Sequence, residues 1–130
     1  MSSTLFTPYK LGPVTLRNRT IRSAAFESMG KDFGPTRQLK DYHVAVARGG
    51  VGMTTLAYAA VCRSGLSFNK QLWLRPEIVP GLREITDAVH REGAAAAIQI
   101  GHCGNMTHWT TAGQMPIGAS TGFNLYAYTP

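Results

Sequence analysis

The sequence predicts an α/β fold built on a parallel sheet, and two observations carry that expectation. Extended and helical patterns alternate as β, α, β, α, β with short connections, the order that crossover units of a parallel sheet require. The run Val51 to Val61 is small, β-branched and apolar without polar alternation, as expected of a parallel strand covered on both faces. Periodicity alone leaves a doubly wound sheet and a closed barrel equally open.

In order along the chain, Tyr9 to Leu11 and Val14 to Leu16 flank a Gly12-Pro13 turn and predict a hairpin. Thr20 to Ala25 predicts a first strand. From Thr36, Leu39, Tyr42, Ala45 and Val46 recur at helical spacing until Arg48-Gly49-Gly50, a cation in the last turn with glycine beyond. Val51 to Val61 is the second strand, and Arg63 to Lys70 a polar loop. Pro80 can open a second helix, where its missing N–H costs nothing, with Leu82, Ile85 and Val89 on one face and Gly93 at its end. Ala94 to Ile100 predicts the third strand. Gly101 to Pro130, rich in Gly, Thr and Ser, predicts a long loop.

Composition narrows the function classes. With 44% hydrophobic and 15% charged residues in 130, the chain can bury a core and is not a disordered segment. No apolar run approaches the roughly 18 to 20 residues of a membrane span, and MSSTLFTPYK lacks the basic-then-apolar order of a secretory signal, so the expected location is cytoplasmic. Cys62 and Cys103 suggest neither a disulfide framework nor a CxxC metal module. The net charge of +6 comes from cations scattered singly, whereas a nucleic-acid face clusters them.

The motifs that could carry chemistry divide unevenly. Gly49-Gly50-Val51-Gly52 is not a dinucleotide fingerprint: position 55 is threonine, and the cluster precedes a strand where the motif must follow one. It predicts a helix cap turning into the second strand. His102, Cys103 and His108 share one loop without a fourth partner or regular spacing, so no metal site is expected, and no carboxylate is in sequence to orient a Cys-His pair. Glu27, Asp32 and Asp41 are expected in surface or loop roles, and Tyr58 in the core. Gln99, between Ile98 and Ile100 on a strand expected to be buried, needs hydrogen-bond partners, either backbone or a ligand at the carboxyl end of the sheet.

Taken together, LFTPYKLGPVTLRNR, the strand RSAAF, the helix end YHVAVARGGVGM and the segment IQIGHCGN, in this order, resemble the N-terminal part of the old yellow enzyme family of FMN oxidoreductases. The likeness runs from Leu5 to about Thr107. It implies a (β/α)8 TIM barrel with a hairpin at its base, of which residues 1–130 would be a partial domain: hairpin, about three βα units and the loop after strand three. It implies FMN across the carboxyl ends of the strands, NAD(P)H as reductant, and hydride transfer through FMN to a small unsaturated carbonyl-type substrate. Ser23, Ala24, Ala25 and Phe26 fall where the end of strand one packs its backbone against the isoalloxazine ring. Tyr58 falls where a usually small residue approaches the ring, and Gln99 on the glutamine that hydrogen-bonds the pyrimidine edge. The proline and the hydroxyl or thiol residue often found at the end of strand one are replaced here, and Asn105 stands where many members carry arginine.

Such a barrel takes about 250 residues, with the ligand phosphate commonly held by loops after strands seven and eight. The family's catalytic residues are therefore expected downstream of position 130. The alternative expectation is a non-catalytic fragment or interaction module that folds by docking on a complementary chain or a second copy. A doubly wound nucleotide-binding domain is disfavoured by the absent phosphate loop.

Overall fold

Gly12 turns the chain at φ 55°, so that β1 (Tyr9–Leu11) folds back antiparallel on β2 (Val14–Leu16), with Tyr9 opposite Leu16. The fold that follows is seen in a computed structural model, which describes residues 3–120 and 122–125. Four parallel strands form the sheet: β3 (Ile21–Arg22), β4 (Met53–Ala60), β5 (Leu72–Trp73) and β6 (Ala95–Gly101). β4 lies at its centre. β6 pairs with it from Met53↔Ala95 to Ala60↔Gly101, while β3 takes the start and β5 the end of the opposite edge.

Two helices cover one face. α1 (Arg37–Arg48) starts where Thr36 caps it, its side-chain oxygen accepting from Leu39 N at 3.2 Å. It stops at Gly49 and Gly50, the latter at φ 97°. The buried stripe is Leu39, His43 and Ala47, not the expected Leu39, Tyr42 and Val46. The inward face is turned because a polar residue occupies it: His43 is 0% exposed and its ring is engaged by Thr54 and Glu27, so hydropathy points the wrong way there. α2 (Val79–Arg91) carries Pro80 in its first turn, buries Ile85, Ala88 and Val89, and leads into Gly93 at φ 77°. Leu39, Ala47, Leu56, Ala59, Leu72, Ile85 and Val89 make one apolar core between helices and sheet.

Elsewhere the sequence and the structure part company for local reasons. The first strand, expected over Thr20 to Ala25, pairs only through Ile21 and Arg22, after which the chain leaves the sheet. β4 was expected to be covered on both faces, yet burial alternates over Met53 to Leu56, because the helices enclose only one side. The loop after β4 contains a 3-10 turn at Arg63–Gly65 and delivers β5, a strand too short for periodicity to register. The C-terminal loop carries one helical turn, α3 (Trp109–Ala112), started by His108, whose ring accepts from Thr110 N. The last part of that predicted loop, 126–130, lies outside the described residues. No helix among the described residues is long and apolar enough to cross a membrane.

Candidate functional site

Both edges of β4 are irregular over the same residues. On the β6 side the ladder steps from Leu56↔Ile98 to Ala59↔Ile100, so Ala57 and Tyr58 together face Gln99. Such a bulge re-aims the side chains around it. On the other side, between β3 and β5, side chains replace a neighbouring strand. Arg22 Nη1 donates to Thr55 O at 2.6 Å, Ala57 N donates to Glu27 Oε2 at 3.1 Å, and Gln71 Nε2 donates to Tyr58 O at 3.3 Å. Backbone groups that a ladder would pair are thus satisfied without a strand beside them.

The consequence is space. Residues 24–30 stand off the sheet and leave a cavity of about 380 Å³, within the range of small-molecule sites. Five of the residues singled out in the sequence line it: Ala24, Ala25, Phe26, Tyr58 and Gln99. Ser23 is exposed and outside the lining. Gln99 was expected on a buried strand but is exposed, because β6 is an edge strand among the described residues and Gln99 sits near its carboxyl end. Its amide makes no side-chain hydrogen bond within the described residues, leaving a donor and an acceptor at the cavity wall.

Hydropathy gave no sign of several wall residues. Tyr58 Oη lies 2.7 Å from Ser67 Oγ, Gln71 Oε1 accepts from Ser67 N at 2.8 Å, and Gln71 closes the circuit on Tyr58 O. Burial pushes the Tyr58 phenol up, against the pull of its Ser67 and Gln71 hydrogen bonds. Opposite, the Phe26 and Phe68 rings meet edge to face, 4.1 Å between centroids. Tyr58, Phe68 and Gln99 also border a second, more open cavity of about 520 Å³ whose far wall includes His102, Cys103 and Met106. There the His102 ring bonds Ser64 Oγ at 3.2 Å and accepts from Gly104 N at 2.9 Å. Burial raises the Cys103 thiol, which donates to Leu66 O at 3.2 Å.

Glu27, expected in a surface or loop role, lies in the loop but not on the surface. Its side chain is 6% exposed, with Oε1 2.5 Å from Arg22 Nη1 and 3.0 Å from His43 Nε2. The His43 approach is off the line of a hydrogen bond and acts as a close electrostatic contact, while Nδ1 of the same ring lies 2.8 Å from Thr54 Oγ1. Burial opposes ionisation of Glu27, but His43, the Ala57 N–H and Arg22 outweigh it and hold the carboxyl below the ordinary 4.5. A depressed folded-state pKa contributes stability that is present above the unfolded value and is lost as pH falls through the folded one. The urea midpoint of the wild type is therefore expected to drop, as pH falls below the ordinary carboxylate value of 4.5, more steeply than that of Glu27→Gln; parallel curves would contradict this. Asp41, by contrast, makes an exposed pair with Arg37 at 3.4 Å.

Arg17 and Arg75 donate to backbone carbonyls, as does Arg22 alongside its pairing with Glu27.

A family model described as NADH:flavin oxidoreductase / NADH oxidase family matches residues 4–128. The chain is 48% identical over 100 residues to a 4,4'-dithiodibutanoate disulfide reductase of Rhodococcus erythropolis, a match covering 77% of this chain and 25% of that protein. It superposes on the old yellow enzyme homologue from Zymomonas mobilis with a TM-score of 0.84 at 24% identity, covering 92% of this chain and 34% of that one. With morphinone reductase in complex with tetrahydroNAD the TM-score is 0.78 at 25% identity, covering 88% and 32%. The superpositions decide what periodicity left open: the sheet is the N-terminal part of a TIM barrel and not a doubly wound sheet. The chain spans a quarter to a third of the length of these relatives.

Proposed function

Because the chain belongs to the NADH:flavin oxidoreductase / NADH oxidase family, whose members use FMN with NAD(P)H as reductant, we propose that residues 1–130 form a partial barrel domain supplying one wall of an FMN site. The observation that carries this reading is the Gln99 amide, without a side-chain partner among the described residues and set into a cavity whose lining includes the small residues Ala24, Ala25 and Ala57. Small side chains admit a flat ring, and an amide offers both donor and acceptor to the edge of its pyrimidine. The residues present therefore fit the ring portion of the cofactor. When bound, FMN supplies a two-electron relay from NAD(P)H to a small unsaturated carbonyl-type acceptor. Gln99 would hold the ring edge, the backbone of Ala24 to Phe26 would form the wall beside it, and the paired Phe26 and Phe68 rings would add apolar surface on that side. Tyr58, fixed through Ser67, divides the ring side from the second cavity.

If residues 1–130 hold the cofactor by themselves, the purified protein absorbs in the visible flavin bands. Gln99→Leu removes one hydrogen-bonding edge and should weaken FMN retention by about two- to tenfold, or about 0.5–1.5 kcal/mol. Equilibrium dialysis showing equal retention would refute the assignment. One observation favours a second reading, a module completed by a complementary chain: β6 pairs on one side only among the described residues, and Ile100 on it is 59% exposed. A colourless preparation that turns yellow only with a polypeptide carrying the remaining strands would favour that reading.

A further inference from the structure

We propose that Glu27 is a positioning residue of this cleft: its carboxylate takes the place of a strand along β4 and so sets where the Ala24–Phe26 wall stands. The inference rests on the flavin reading of the cavity and adds to it a device that builds the wall.

β4 is paired by β3 at Met53 and Thr54 and by β5 at Ala59 and Ala60, leaving a gap between them on that edge. A strand crossing the gap would satisfy β4 but fill the cavity with its own backbone. An apolar side chain at 27 would fill volume but leave the Ala57 N–H without an acceptor. The carboxylate avoids both outcomes, because it accepts from Ala57 N while the chain carrying it stays off the sheet.

The cost of burying that charge is offset by partners from three directions. Arg22 comes from β3, His43 from α1, and the Ala57 N–H from β4 itself. Each partner is anchored in turn. Arg22 also holds Thr55 O, donates to Tyr42 Oη at 3.2 Å and lies 5.1 Å over the Tyr42 ring, while His43 is held by Thr54. The segment that follows is strained, with Ser28, Asp32 and Phe33 at φ 52°, 50° and 59°. Such a path persists only between firm anchors. One is Glu27, and another is the Gly30 N–H donated to Lys70 O at 2.9 Å.

The test compares wild type, Glu27→Gln, His43→Gln and, as a core control away from the cleft, Ile85→Val. Three quantities are read: FMN affinity by fluorescence titration, the position of the bound flavin's visible band, and hydrogen exchange at the Ala57 amide. Glu27→Gln is expected to weaken FMN binding about tenfold, shift the band and speed exchange at Ala57. His43→Gln should move all three in the same direction by less, which keeps the test available should Glu27→Gln fail to fold. Ile85→Val should lower the Tm yet leave affinity and band where they are in wild type. Wild-type affinity, band and Ala57 protection in folded Glu27→Gln or His43→Gln would overturn the proposal. Should wild type bind no FMN at all, the flavin reading falls, and Ala57 exchange alone decides for or against the carboxylate.

Discussion

Arg17→Met is expected to cost about 3–5 kcal/mol of stability, a large share of the roughly 5–15 kcal/mol that holds a domain of this size folded. Arg17 Nε donates to Val51 O at 3.0 Å, Nη1 to Glu92 O at 2.7 Å, and Nη2 to Val51 O at 2.9 Å and to Ala47 O. Ala47 lies in the last turn of α1, Glu92 caps α2, and Val51 leads into β4. One guanidinium therefore sits at the negative ends of two helix dipoles and ties both to the entry of the central strand. Methionine matches much of the stem but removes a donor from three carbonyls, those of Val51, Glu92 and Ala47, of which Ala47 O keeps the Gly50 N–H at 3.0 Å. Lysine restores the charge without the planar fork, so Arg17→Lys should recover less than half of the loss. Urea titrations decide the matter: a midpoint for Arg17→Met within a few tenths molar of wild type would mean that water replaces the guanidinium without penalty.

Arg17 also shows where reading the sequence succeeds and where it stops. The hairpin and α1 were legible because their signals are local: a Gly-Pro turn, apolar residues at helical spacing, and a cation with glycines past the last turn. The partners of Arg17 lie 30 to 75 residues away along the chain, and no local pattern announces them. The same limit hid the devices along β4, where Arg22 and Glu27 reach 33 and 30 residues forward. It also turned α1 by one position, since the burial of His43 depends on a carboxylate that hydropathy places outside. Within the candidate site, Ala24, Ala25, Phe26, Tyr58 and Gln99 came from the family resemblance and do converge on one cavity. Phe68 and Gln71 did not, because the loop that carries them has no periodicity and is placed by hydrogen bonds to Tyr58.

Gly52→Ala is expected to cost about 3 kcal/mol, at the upper end for adding one methyl to a packed site. The glycine cluster after α1 was expected to serve as a single cap, but its members differ in what they meet. Gly49 has φ −63° and caps the helix in a conformation open to any residue, with Val46 O as the nearest atom to an added Cβ at 3.2 Å. A Cβ on Gly52 would stand 2.6 Å from Asn18 O, 2.8 Å from Asn18 Oδ1 and 3.0 Å from Thr20 O. Two of these atoms are backbone, so relief requires moving the chain that enters β3. That chain has little to spare. β3 pairs with β4 at two positions only, Gly52 N donates to Thr20 O at 3.0 Å, and Asn18 is locked by its bonds to Gly50 O and Thr20. Displacing it carries Arg22 off Thr55 O and, through Glu27, disturbs the wall at Ala24 to Phe26. Gly49→Ala should therefore stay within about 1 kcal/mol of wild type in a thermal melt, while Gly52→Ala falls well below it and also weakens FMN binding. Equal melting temperatures for the two variants would show that the β3 entry yields freely and that close backbone approach is not what Gly52 provides.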